Sequence, residues 1–156
     1  MGEWVHLRTW GRAWRPAGVG PGWRPYFHGS WTYTEDGWFW VSAEPWGWAT
    51  YHYGRWLFDG SFGWVWVPGR VWAPAWVTWR WSDEAVGWAP LPPSGAPLLA
   101  FWTFVPSRRL LGERVEDAAV PASQVPALLV RTRAPAGVAA AARPPASRSV
   151  TARAGS

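Results

Sequence analysis

A tryptophan-rich pattern recurs about every 25 residues along the first two thirds of the chain. The pattern Trp-x-x-Tyr-x-x-Gly-x-Trp begins at Trp23 and again at Trp48, and Gly-Trp-x-Trp-Val begins at Gly37 and again at Gly63. A looser third copy begins at Trp72. Repeats of this length are supersecondary units that bury their apolar faces only against neighbouring units. We therefore place the repeat units near residues 23–47, 48–71 and 72–93.

Each repeat unit has the sequence pattern of a β-hairpin. In the first unit, two aromatic and β-branched runs flank the turn residues Asp36 and Gly37. Aligning the runs of the first two units predicts four cross-strand aromatic pairs: Trp31 with Trp40, Tyr33 with Trp38, Trp56 with Trp66, and Phe58 with Trp64. Such pairs stabilise a sheet by roughly 0.2–1 kcal/mol each relative to alanine pairs, and they fix the register.

These hairpins predict an antiparallel all-β fold, in which the repeats and flanking strands form a small barrel or sandwich with few free edges. The domain is expected to span residues 1–133. Beyond the repeats, we expect a strand at 98–105, a short helix around 113–119 and a strand at 127–131. Residues 134–156 are rich in Ala, Pro, Arg and Ser and contain no aromatic residue, which predicts a disordered tail.

Six tryptophans are the candidate binding residues. Side chains two positions apart share one face of a strand, and this spacing relates the members of each pair: Trp38 and Trp40, Trp64 and Trp66, Trp79 and Trp81. Three interpretations are open for the indole face that they would form. It is the core of the fold, a stacking platform for saccharides such as peptidoglycan, or a stacking platform for single-stranded nucleic acid.

The distribution of charge argues against the nucleic-acid interpretation. The chain has 15 basic and 10 acidic residues, which gives a net charge of +5. Arginines and acids balance up to residue 105, so the whole excess lies in the last third of the chain. A base-stacking platform normally has a basic groove beside it. We therefore expect no specific nucleic-acid partner.

No motif in the sequence indicates catalysis. The chain has no cysteine, and the repeat alignment places His28 and His52 out of phase, so a shared metal site is not expected. The adjacent acids Glu35-Asp36 and Asp83-Glu84 fall in predicted turns. We predict no catalytic residue, no metal and no cofactor, with an unrecognised hydrolase as the alternative. We also expect no transmembrane segment, and the N-terminus does not have the pattern of a signal peptide.

Four tryptophan-bearing stretches are distinctive: EPWGWATYHYGRW at 44–56, GWVWVPG at 63–69, WAPAWV at 72–77 and GWAPL at 87–91. Together they resemble an uncharacterised Trp-rich bacterial family that is known only as a domain of unknown function. Its members are usually predicted to be exported, so the resemblance implies a cell-envelope or extracellular location. We predict a non-catalytic cell-envelope module that binds or assembles through its Trp-rich face. Polysaccharide, peptidoglycan or a second copy of the chain is the expected partner.

Overall fold

The computed structural model describes residues 1–135 of the chain. Its strands, in chain order, are β1 (Gly2–Leu7), β2 (Gly11–Pro16), β3 (Gly29–Thr34), β4 (Gly37–Ser42), β5 (Arg55–Asp59), β6 (Gly63–Val67), β7 (Val77–Trp81), β8 (Ala85–Pro90) and β9 (Thr103–Pro106). The helices are α1 (Gly47–Thr50), α2 (Val115–Ala118) and α3 (Val125–Arg131), with 3₁₀ turns at Leu99–Phe101, Ser107–Arg109 and Ala122–Gln124.

Four hairpins, β1–β2, β3–β4, β5–β6 and β7–β8, are distributed over three antiparallel sheets. The first sheet has the strand order β1-β2-β6-β5, the second contains β3 and β4, and the third has the order β7-β8-β9. The sheets do not close into a barrel within the described part of the chain, and their indole-bearing faces pack together as a sandwich. The antiparallel all-β prediction is confirmed, and the sandwich is the alternative that the structure adopts.

The four predicted cross-strand aromatic pairs are all confirmed by the observed register. The structure adds two pairs that the sequence analysis did not propose, Trp4 opposite Trp14 and Trp79 opposite Trp88. Each of the four hairpins therefore carries one directly opposed pair of tryptophans. Trp14 also lies opposite Trp66, so a row of four indoles crosses the first sheet from β1 to β5.

The tryptophans of two hairpins, β3–β4 and β7–β8, meet at Trp31, which is fully buried. Its ring centroid lies 5.0 Å from that of Trp40, 4.7 Å from that of Trp79 and 5.5 Å from that of Trp88. Aromatic rings at these separations and tilts gain about 0.5–1.5 kcal/mol per pair beyond the area that they bury. Trp31 is thus the residue through which the second and third sheets share one core.

The predicted strand at 127–131 is wrong, because this segment is part of α3. Pro126 occupies the first turn of the helix, where its missing N–H costs no hydrogen bond. Val125, Leu128 and Leu129 follow the spacing of one helical face and pack in a cluster with Phe104 of β9. A short apolar run does not distinguish a strand from a helix by periodicity alone.

The other expectations for this part of the chain are closer to the structure. The predicted strand at 98–105 is shorter than expected, because a 3₁₀ turn occupies 99–101 and β9 begins at Thr103. The predicted helix around 113–119 is present as α2. Of the predicted tail at 134–156, residues from 136 onward lie outside the described residues. No helix in residues 1–135 combines the length and hydropathy needed to cross a membrane.

We predict that Trp31→Ala destabilises the protein by about 3–5 kcal/mol, because it removes a fully buried indole from the shared core. Urea unfolding followed by far-UV circular dichroism would measure the change. Trp4→Ala is the matched control, since Trp4 is 48% exposed and should lose no more than about 1 kcal/mol. Equal losses for the two variants would contradict the placement of Trp31 at the centre of the core.

Candidate functional site

The six tryptophans proposed as a binding face do not form an exposed surface, and three of them are buried. Trp38 meets Tyr33 edge-on at 5.3 Å, while Trp40 and Trp79 pack directly on Trp31. The physical reason is size, because an indole removes roughly 150–250 Å² from water when it is buried. The sheets therefore turn their indole faces inward and leave smaller side chains outside.

The other three predicted binding residues are half-buried: Trp64, Trp66 and Trp81. Trp64 packs at 4.5 Å on a phenyl ring of the 3₁₀ turn before β9. Trp66 donates its indole N–H to the carbonyl oxygen of Tyr53 at 2.7 Å, and Trp81 lies under the guanidinium of Arg133, 4.9 Å away. Each of the three indoles is thus already engaged in a contact within the chain.

The solvent-facing side of β4 carries a different set of side chains. Because Trp38 and Trp40 point into the core, Phe39 and Val41 point outward from the same strand. Phe39 is half-buried and Val41 is exposed. This outer face forms one side of the candidate site.

Three aromatic rings form a cluster on this outer face. The rings of Phe39 and His52 stack 4.4 Å apart with an interplanar angle of 25°, and Trp72 lies beside both of them, 6.0 Å from His52 and 6.4 Å from Phe39. His52 is fixed in place, because its Nδ1 lies 3.1 Å from the carbonyl oxygen of Ala73. Since that carbonyl only accepts, Nδ1 carries the proton. Trp72 is 42% exposed and forms the part of this cluster that reaches the surface.

A cleft of about 450 Å³ lies beside the stack. It is lined by residues 39–42 of β4, by the segment that leads into α1, and by His52. On its α1 side stands Trp48, which is 76% exposed. A volume of this size falls within the range of roughly 300–1,000 Å³ that is typical of ligand sites. The cleft is therefore an aromatic groove with one freely presented indole.

The position of α1 explains why Trp48 points outward. A Cβ added at Gly47 would lie 2.4 Å from Cβ of Ser42, so only glycine allows the helix to sit this close to the end of β4. Trp46, on the inner side of the turn, packs edge-on against Trp14 and Trp23 at 5.3 and 5.7 Å. With Gly47 against β4 and Trp46 in the core, Trp48 is left on the open side.

One carboxylate, Glu44, lies at the inner end of the cleft. Its Oε2 accepts the indole N–H of Trp23 at 2.7 Å, and its Oε1 accepts the hydroxyl of Tyr51 in a short hydrogen bond. Burial raises the pKa of Glu44, although both of these hydrogen bonds favour its charged form. Burial, with Glu44 as the next cause, raises the pKa of Tyr51. The network joins the segment before α1 to the core.

The titratable groups elsewhere do not gather into a second chemical centre. His28 lies 3.3 Å from Glu116, apart from the stack that holds His52. The acids Glu35-Asp36 and Asp83-Glu84 are exposed in the turns of their hairpins. Within residues 1–135, no three His, Asp or Glu side chains come together as a metal site would require.

Trp48, Phe39, His52 and Trp72 were not predicted from the sequence as residues of a binding site. The repeat alignment made Trp48 equivalent to Trp23, but Trp23 is half-buried and bonded to Glu44. The signal that could have separated them is the Trp46-Gly47-Trp48 triplet, because two large indoles flanking a glycine cannot both enter the same side of a tight turn.

We predict that His52 makes the stability of the protein fall as the pH drops below about 6.5. Burial lowers the pKa of His52, more than the Ala73 and Pro74 carbonyls raise it. The unfolded chain then binds the proton first, and stability present at neutral pH is lost on acidification. Unfolding midpoints between pH 7 and pH 5 should fall more steeply for the wild type than for His52→Gln. His6→Gln, at an exposed histidine on β1, should follow the wild type, and a His52→Gln slope equal to the wild-type slope would contradict the assignment.

Comparisons with known proteins identify the chain at the level of a family. No curated protein and no solved structure gives a significant match. Residues 1–95 match a family of unknown function, DUF6600, and this segment contains all four hairpins from β1 to β8. Strand β9, which completes the third sheet, lies beyond it. Since the matched segment is more than half of the 156 residues, the chain belongs to the DUF6600 family.

Proposed function

We propose that this protein is a non-catalytic module of the cell envelope that binds a saccharide chain in the aromatic cleft between β4 and α1. The single observation that carries the proposal is the 76% exposure of Trp48 beside that cleft. The location is part of the proposal, and it is based on the resemblance to an exported family. Polysaccharide and peptidoglycan are the intended ligands.

The shape of the site suits sugar rings. The C–H faces of a pyranose are flat and weakly apolar, and they pack on the face of an aromatic ring with little conformational cost to either partner. Trp48 offers such a face on one side of the cleft, and Phe39, stacked on His52, offers another. Two aromatic surfaces along one groove favour an extended ligand over a compact one.

Polar groups in the cleft suit the hydroxyls of the same ligand. Ser42, Glu44 and His52 all line it, and together they supply hydroxyl, carboxylate and imidazole groups. A few polar groups in a mostly apolar cleft are what fixes the orientation of a ligand. Neutral sugars and amino sugars match this set better than anionic ligands do, because the charged group is a carboxylate.

The two alternative functions receive less support from the cleft. Glycoside hydrolysis needs two carboxyl groups roughly 5–9.5 Å apart, and Glu44 is the one acid among the described residues that line the cleft. Binding of single-stranded nucleic acid needs a basic groove, and the lining of this cleft, as far as residues 1–135 form it, has no arginine. A purely structural role leaves the exposure of Trp48 unexplained.

The test is a binding assay of the full chain with insoluble peptidoglycan and with insoluble β-linked polysaccharides. The wild type should sediment with at least one of them. Trp48→Ala should weaken this binding at least about tenfold, as expected for an aromatic anchor worth roughly 2 kcal/mol. Trp4→Ala is the matched control, because it removes an exposed indole on β1, outside the cleft.

Unfolding curves of the variants distinguish lost binding from lost folding. Trp48→Ala should unfold within about 0.5 kcal/mol of the wild type, because its side chain is at the surface. Binding that survives Trp48→Ala, or that falls equally in Trp4→Ala, would rule out the cleft as the binding site. A wild type that sediments with none of the polymers would rule out the saccharide itself.

A further inference from the structure

A second cavity, independent of the aromatic cleft, lies where β9 meets α3. Its volume is about 220 Å³, which is smaller than the roughly 300–1,000 Å³ of sites for larger ligands. Most of its wall is apolar and comes from the connection before β9 and the segment around α3, chiefly Leu99, Trp102, Val120 and Val125. Arg24 is the one charged side chain among the described residues that line it.

The guanidinium of Arg24 is held in a fixed position. Its Nε donates to Oγ1 of Thr103 at 2.9 Å, and Thr103 itself is buried. The guanidinium carbon lies 4.3 Å from the ring centroid of Phe27, so the cation stacks on that ring. Neither contact uses the terminal nitrogens, Nη1 and Nη2, and these two donate to no side-chain or backbone acceptor in the described part of the chain.

No acidic side chain neutralises this cation. Arg24 takes part in none of the ion pairs within residues 1–135. The sequence from 136 to 156 contains no aspartate or glutamate, so it has no acidic side chain to offer either. Burial lowers the pKa of Arg24, although a guanidinium remains charged in proteins. The terminal nitrogens of Arg24 are not among the buried, unpartnered side-chain atoms of residues 1–135, so they are open to solvent and to a ligand.

We propose that this cavity binds a small aliphatic carboxylate, with the carboxylate on the free edge of Arg24 and the alkyl group against the apolar wall. The planar fork of a guanidinium matches a carboxylate in a bidentate arrangement. Phosphate is a poorer fit, because a dianion surrounded by apolar side chains would lack the further donors that it needs. The carboxylate comes from a free short-chain acid or from the C-terminal residue of a peptide with a small side chain.

Calorimetric titration and ¹H–¹⁵N NMR of the full chain test the proposal with two probes, isobutyrate and N-acetyl-alanyl-alanine. Each presents a small aliphatic carboxylate, and isobutyramide is the control that lacks the charge. We expect saturable binding of at least one acid, with shifts of the Arg24 Nε–H and Trp102 indole N–H signals. Tighter binding of the peptide would identify a chain terminus as the source, and tighter binding of isobutyrate would identify a free acid.

Two variants test the site from opposite sides. Arg24→Gln removes the charge, and Ala122→Leu fills the cavity from an exposed position on its rim while leaving Arg24 in place. Arg24→Gln should weaken binding at least about tenfold, the expected size of a lost charge-assisted pair. Ala122→Leu should weaken it at least about tenfold as well, because its side chain takes the space of the alkyl group. Arg12→Gln is the control, because Arg12 also stacks on an aromatic ring, Trp4, but on the first sheet.

The titrations of the wild type and of the two variants can each contradict the proposal. No binding of either acid by the wild type, equal binding of isobutyramide, or unchanged binding in both variants would overturn the proposal. If Arg24→Gln fails to fold, Ala122→Leu decides alone, since its side chain is added at the surface. The outcome of these titrations does not decide the proposed saccharide binding, because Trp48→Ala tests the aromatic cleft, which is a different site.

Discussion

The opposed tryptophan pairs of β3–β4 and β7–β8, whose rings lie 5.0 and 5.8 Å apart, are the interaction on which the rest of the structure depends. Two indoles directly across an antiparallel pair hold the strands in one register, and a slip of one residue would turn every side chain to the other face. Once the register is set, the neighbouring positions on each strand are set with it. The pairs of β3–β4 and β7–β8 interlock at Trp31, so the same interaction also joins separate sheets.

Packing of the indoles outweighs their hydrogen bonding. The buried indole N–H groups of Trp31, Trp38, Trp40 and Trp79 have no acceptor among the described residues. A buried donor without a partner costs about 1–3 kcal/mol. Burying an indole of roughly 150–250 Å² at about 25 cal/mol per Å² gains about 4–6 kcal/mol. The larger quantity favours a dense aromatic core even where the donors stay unbonded, and it explains why the predicted indole face is inside.

The sequence predicts the hairpins well and their assembly poorly, for a physical reason. The register of β3–β4 and β5–β6 depends on local spacing and turn residues, which the chain displays directly. The two predicted tryptophan pairs are nine and ten positions apart, and Trp4 with Trp14 and Trp79 with Trp88 have the same spacing. All four pairs could therefore have been predicted from the sequence. The distribution of the hairpins over three sheets depends on long-range contacts such as β2 with β6, which no local pattern records. The helix α3 was not predicted, because its short apolar run is compatible with both the helical period and the strand period.

Trp48 differs from the core tryptophans because the fold does not need its side chain. Trp46 is required inside, where it contacts Trp14 and Trp56, and Gly47 is required against β4. Two positions further along a helical turn, a side chain has rotated by about 200°, so position 48 faces solvent whatever residue occupies it. A polar residue there would give the same packing at no hydrophobic cost. The fold therefore does not explain why this residue is a tryptophan, and ligand binding at the adjoining cleft does. Substitution of Trp48 can test binding without changing stability. Substitution of Trp40 cannot, because that indole is part of the core.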